Sequence, residues 1–167
     1  FLDYYECYVA DHNLILAERE EGEIVSMVQL NPYEVRMGTQ KADSYYIVAV
    51  ATREDCRHQG RMRRILTEAL QYMDQEKIPF TFLMPASESI YLPFDFVTVY
   101  RQSLFTYGTE MEADTDRPWH CVPCRWEQLK ELAEWSDVFL QKHSDVSTVR
   151  TEDYYKHIWM EQESMNG

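Results

Sequence analysis

No apolar run in the sequence approaches the roughly 20 residues that a membrane-spanning helix requires, and no secretory leader is visible at its start. Neither membrane insertion nor export is expected, and the reading is a cytoplasmic protein. Positive charge is also scarce, with 16 Lys and Arg against 29 Asp and Glu and a net charge of −13. That balance argues against a nucleic-acid surface, because phosphates are repelled at long range. It suits cationic partners such as amines, polyamines, aminoglycosides or lysine side chains, although solubility alone also accounts for it. Four cysteines are too few for a disulfide framework in a chain of this size. Cys121-Val122-Pro123-Cys124 is a CxxC with only His120 close by. A zinc site needs more ligands than that, so no metal is expected, and redox or metal chemistry there is the minor alternative.

What the chain does contain is apolar: 45% hydrophobic and 14% aromatic residues in a length of 167, enough for one packed domain and part of a second. The first residue is Phe1 rather than Met, which reads as a trimmed piece of a longer protein.

The stretch 44–73 organises the rest. Residues 45–51 form an apolar, β-branched run that reads as a buried strand. A polar connection at 52–55 leads to Arg57-His58-Gln59-Gly60-Arg61-Met62-Arg63. From about Arg61, the residues Met62, Ile65, Leu66, Ala69, Leu70 and Met73 recur at helical spacing. A strand running through a glycine turn into a helix leaves unpaired N–H groups at the positive end of the helix dipole. With arginines beside them, these make an anion site suited to phosphate or pyrophosphate.

Taken in order, residues 1–8 read as the end of a helix, 13–19 as a strand, and 23–37 as a long strand or a pair interrupted at Asn31-Pro32. A turn at 38–43 precedes the central strand. Lys77-Ile78-Pro79 stops the helix, and 80–84 is a short apolar strand, expected to be buried on both faces and joined by a right-handed parallel crossover. Residues 85–96 carry a short helix with Tyr91 and a turn at Pro93, and 97–107 alternate like a closing antiparallel strand pair. Asp114 to Pro118 is a polar break. Residues 119–123 suit a strand, and 125–142 and 151–163 suit helices. Asp153-Tyr154-Tyr155 echoes Asp3-Tyr4-Tyr5, a hint of internal repetition.

Arg57-x-x-Gly60-x-Met62 on a strand–loop–helix resembles the pyrophosphate loop of the GCN5-related N-acetyltransferases (GNAT), whose pattern is Gln/Arg-x-x-Gly-x-Gly/Ala. Met62 departs from it. The order of meander, parallel crossover, short helix and closing strands is similar to the GNAT fold, an α+β arrangement on a mixed sheet. VAVAT…CRHQGRMRRIL followed by PFTFLMPASESIYLPFDF further resembles the Eis-type (enhanced intracellular survival) branch of multi-domain GNAT proteins. The resemblance spans essentially 1–107. It implies a GNAT domain over 1–113, lacking its first strand and helix, and over 114–167 a linker with the opening strand and helices of a second, degenerate GNAT-like domain. Asp95 stands where the family usually has glycine, so it must supply the turn geometry that glycine would.

The function so implied is transfer of an acetyl group from acetyl-CoA to a primary amine of a cationic small molecule or of lysine. The resemblance assigns the cofactor to Val50, Ala51 and Thr52 on a splayed strand, to His58, Gln59, Gly60, Arg61, Met62 and Arg63 in the loop, and to Ser87 and Glu88. It makes Tyr91 the acid that protonates the leaving thiolate, in keeping with a phenol pKa of about 10 against about 8.5 for a thiol. In that branch the general base is the C-terminal carboxylate of the whole chain, which Gly167 is not expected to replace; His58 and His12 are the other titrating candidates. Eis-type relatives often form hexamers, so self-association is a further expectation. The competing reading is a CoA-binding or scaffold module that has lost catalysis, suggested by Met62 and Asp95.

Overall fold

The computed structural model describes residues 12–101 and 122–164. Three antiparallel strands come first: β1 (Leu14–Glu20), β2 (Glu23–Met37) and β3 (Gln40–Thr52). Tight turns join them, with Gly22 and Gly38 at positive φ, where a side chain would be strained. A 3₁₀ turn (Glu54–Cys56) and a loop lead to α1 (Arg61–Gln75), and β4 (Thr81–Phe82) returns parallel to β3. Later come α2 (Glu88–Tyr91), α3 (Leu129–His143), β5 (Val146–Thr148) and α4 (Glu152–Ser164). The sheet runs β1-β2-β3-β4, and β5 pairs with β2 at Val35, Arg36 and Met37.

Spacing explains α1. Ile65, Leu66, Ala69 and Met73 are all buried on one face of the helix, which packs on β2, β3 and β1 over Val28, Leu30 and Ile47. Leu30 and Leu66 are fully buried, each contributing about 2 kcal/mol of apolar burial.

Several expectations need correction. β2 is unbroken through Asn31-Pro32. Pro32 falls between the stretches of β2 that pair with β1 and β5, where one edge has no strand partner among the described residues, so a residue without an N–H is tolerated. β3 starts at Gln40 because Met37 pairs directly with it across Gly38-Thr39. Only Ser44 and Ile47 are buried in it, and Ala49 and Ala51 are exposed, rather than the run being buried throughout. β4 has two half-buried residues instead of five fully buried ones, since only Thr81 and Phe82 meet β3. Residues 97–101 and 122–123 form no strand; the rest of the expected closing pair, the rest of the expected 119–123 strand and the helix at 1–8 lie outside the described residues.

The described residues form two compact units, 12–84 with 125–164, and 85–101 with 122–124. In the first, residues 125–164 join the sheet through β5, through Val149 N–H donating to Glu34 O at 2.8 Å, and through Arg36. The Arg36 Nη2 donates to both carboxylate oxygens of Asp137 on α3, at 2.8 and 3.0 Å. Leu129, Ala133 and Ser136 form the buried face of α3, and α3 packs on α4.

Leu66→Ala is expected to lower unfolding stability by about 3 kcal/mol, since it removes a fully buried side chain from the helix–sheet contact. Denaturant titration of the two proteins measures it; a loss under about 1 kcal/mol would mean that α1 is not seated on the sheet as described.

Candidate functional site

The site begins where β3 changes partners. Ala49 has φ +51 and sits at an irregularity in the ladder, because Met27 and Gln29 on β2 oppose Ala51 and Val48. An extra residue is thus accommodated in β3 as a bulge. On its other edge, β3 pairs with β4 only at Tyr45 and Tyr46. Beyond Tyr46 no other strand among the described residues lies along that edge, so Val50, Ala51 and Thr52 lie on an open-edged segment. Two short contacts hold the junction: Ser44 Oγ donates to Phe80 O at 2.9 Å, and Thr81 Oγ1 donates to Tyr45 O at 2.7 Å. Buried Ser26 fixes the end of β3 through Ala51 O and the Thr52 hydroxyl, both at 3.1 Å.

The loop after β3 is braced from within. Arg53 makes a two-pronged pair with Asp55, at 2.7 and 2.9 Å, which holds the Asp55 carboxyl below its ordinary range. Arg57 Nε donates to Thr52 O, and the Gln59 side-chain amide donates to Asp55 O, each at 3.3 Å. His58 and Gly60 both take positive φ, +61 and +74, which turns the chain sharply into α1. The N–H groups of His58, Gln59, Gly60, Arg61 and Met62 meet no acceptor among the described residues. They stand at the start of a 15-residue helix with no acidic residue in its first turn. The arrangement is an anion cradle of backbone donors at the positive end of a dipole.

The arginines divide in a way that local sequence does not reveal. The Arg61 side chain is 9% exposed and donates to Glu18 Oε1 at 2.9 Å, to Glu20 and to Gln59. What Arg61 offers an anion is therefore its N–H, not its guanidinium. Arg64 is 55% exposed and also pairs with Glu18, at 2.7 Å. Arg57 meets no carboxylate among the described residues, and its Nε is turned to the Thr52 carbonyl at the end of β3. Met62 is half-buried, and Arg63 is exposed. Glu18 and Glu20 were absent from the sequence-level site; their only signal was spacing by two on a strand, which puts two carboxylates on one face.

Ser87, Glu88 and Tyr91 belong to the second unit. Ser87 precedes α2 in an extended conformation and shares a 2.9 Å hydrogen bond with Ser89. Glu88 opens the helix, and Tyr91 closes it with its ring edge-to-face with Phe96 at 5.8 Å. Asp95 adopts φ +63, ψ +19 and donates its N–H to Leu92 O. It thus takes the left-handed turn that glycine usually supplies. Cys124 is half-buried, and Cys121 lies outside the described residues. Among the described residues, no group of three His, Cys, Asp or Glu side chains could hold a metal, and no helix is long and apolar enough to cross a membrane.

A strand whose second edge is largely open among the described residues thus runs into a helix start whose first N–H groups meet no acceptor among them. The acetyltransferase (GNAT) domain family matches residues 2–99, and the chain belongs to that family. Solved structures share the fold. One is a conserved protein of unknown function from Enterococcus faecalis V583, called a probable N-acyltransferase: 21% identity, TM-score 0.52, 55% of this chain and 23% of that one. Another is a predicted acetyltransferase from Clostridium acetobutylicum solved with acetyl-CoA: 11% identity, TM-score 0.53, 63% and 71%. A third is glucosamine-6-phosphate N-acetyltransferase from Arabidopsis thaliana: 13% identity, TM-score 0.51, 64% and 74%. The chain thus spans under a quarter of the length of the Enterococcus protein. Among curated proteins none matches the chain.

The ion pairs also set a pH dependence. Hydrogen bonding from Arg64, and then the Arg64 and Arg61 charges, hold the Glu18 carboxyl below its ordinary value of 4.5. A depressed carboxyl contributes stability that is present above its unfolded value and lost as pH falls through the folded one. Stability is therefore expected to decline as pH drops below about 4.5, with a shallower decline in Glu18→Gln. Denaturant midpoints taken between pH 7 and pH 3 test this; parallel curves for the two proteins would refute it.

Proposed function

We propose that this protein is an N-acetyltransferase that moves an acetyl group from acetyl-CoA to a primary amine of a cationic small molecule or a lysine. The observation that carries the reading is the run of N–H groups from His58 to Met62 that meet no acceptor among the described residues, placed where β3 has no second strand partner among them. The donors take the pyrophosphate, with Arg57 and Arg63 supplying charge. The open edge at Val50, Ala51 and Thr52 takes the pantetheine amides, and Ser87 and Glu88 add to the cofactor site.

In the reaction, the neutral amine attacks the thioester carbonyl, a C–N bond forms, and the C–S bond breaks. Tyr91 donates its phenolic proton to the leaving thiolate. The amine's own proton goes to a base that the resemblance places at the C-terminal carboxylate of a longer chain, with His58, in the loop itself, the other candidate. The net charge of −13 supports a cationic acceptor. On the same reading, 1–113 is the catalytic domain and 114–167 opens a second GNAT-like domain that docks on the first through β5. The site of action is the cytoplasm, and self-association accompanies it.

Coenzyme A at about a hundred times its dissociation constant should stabilise the protein by about 2.7 kcal/mol, seen as a higher thermal midpoint. An unmoved midpoint would sink the cofactor assignment. Given a suitable amine, Tyr91→Phe should lower kcat by about 10²-fold or more while the dissociation constant for coenzyme A stays put. Cofactor binding with no turnover by the unsubstituted chain on any amine would favour the scaffold reading.

A further inference from the structure

Gln59 lies between the two residues of positive φ, His58 and Gly60, and it is gripped from two sides. Arg61 Nε and Nη2 donate to its side-chain oxygen, each at 3.3 Å. Arg64 Nη1 donates to its main-chain carbonyl at 3.2 Å. Both arginines start from one atom, because Glu18 Oε1 accepts from Arg61 Nη1 at 2.9 Å and from Arg64 Nη2 at 2.7 Å. The Arg64 guanidinium lies close over the turn: a Cβ placed on Gly60 would stand 3.9 Å from its Nη1.

The peptide unit joining Gln59 to Gly60 is planar and trans, so its C=O and N–H point in opposite directions. Holding the Gln59 carbonyl on the Arg64 side directs the Gly60 N–H to the other side, among the cradle donors. The same contacts neutralise two guanidinium groups with two carboxylates, Glu18 and Glu20. The cradle then depends on aligned N–H groups rather than on those arginines.

We propose that Glu18, on β1, is a positioning residue of the phosphate loop: through Arg61 and Arg64 it fixes the Gln59–Gly60 peptide in the orientation that presents the loop's N–H groups to the cofactor. Glu18 touches no cofactor itself. The inference rests on the reading that this loop binds the phosphates of coenzyme A.

The test uses Glu18→Gln in the full chain, with coenzyme A as the probe. Its dissociation constant is measured calorimetrically well below the unfolding midpoint, and the amide resonance of Gly60 is followed without ligand. Misaligned donors should weaken coenzyme A binding by between about ten- and a hundredfold. The Gly60 amide should shift, and in turnover the loss should fall on KM for acetyl-CoA rather than on kcat. Combining Glu18→Gln with Arg64→Met should add little to Arg64→Met alone, because both act on one peptide. A merely structural Glu18 would lower the thermal midpoint and leave the dissociation constant and the Gly60 signal in place. That result overturns the proposal, as would tighter binding, which would show that the carboxylate only repels the cofactor. If Glu18→Gln does not fold, Arg64→Met, at an exposed position, carries the test, and an unmoved Gly60 amide overturns the proposal. Failure of the unsubstituted protein to bind coenzyme A overturns the functional reading together with this one; unchanged affinity in the variant beside a binding parent overturns this one alone.

Discussion

The contact between α1 and the sheet is the constraint on which the site depends. Once Ile65, Leu66, Ala69 and Met73 are buried over Val28, Leu30 and Ile47, the helix axis has little freedom left. Its first turn then falls at the end of β3, and the loop between them has only eight residues in which to reverse direction. Positive φ at His58 and Gly60 accomplishes the reversal. A consequence is that several N–H groups in succession lose the partners a regular element would give them. Apolar burial, which has no directional preference, thereby fixes the direction of a set of highly directional donors.

The second half of the site follows from an interruption of pairing. A central strand normally has partners along both edges, and unpaired backbone groups away from water are costly. β3 keeps β2 along nearly its whole length, but meets β4 at two residues. Ser44 and Thr81 secure that short junction with side-chain bonds to main-chain carbonyls, and Ser26 secures the far end of β3. The segment between is therefore fixed at both ends and, among the described residues, has no strand partner on one edge, the arrangement by which a sheet edge can take an extended chain through main-chain hydrogen bonds.

Charge acts locally against the overall balance. The protein is strongly acidic, yet the loop region gathers Arg53, Arg57, Arg61, Arg63 and Arg64. Three of these are paired to carboxylates from nearby segments, Arg53 with Asp55, and Arg61 and Arg64 with Glu18 and Glu20. Arg61 is nearly buried, so its ion pairs are shielded from salt more than those of Arg64. Arg57 meets no carboxylate among the described residues.

The sequence by itself determined the local elements. The strand–loop–helix at 44–73, the buried stripe of α1 starting at Arg61 and the helices near 125–142 and 151–163 were all legible, and the resemblance added the turn at Asp95. Each depends on side chains within a few residues of one another: helical spacing, a glycine turn, or a residue type tolerant of positive φ. Only the tertiary structure decided the rest. The strand-pairing of β5 with β2, the unbroken passage of β2 through Pro32 and the two-residue length of β4 depend on which edges are left open by distant strands. The role of Arg61 changed most. Its place in the loop suggested a phosphate ligand, but Glu18, 43 residues earlier, takes its guanidinium. Nothing near Arg61 in the chain announces that partner, because folding, not proximity in sequence, brings β1 to the start of α1.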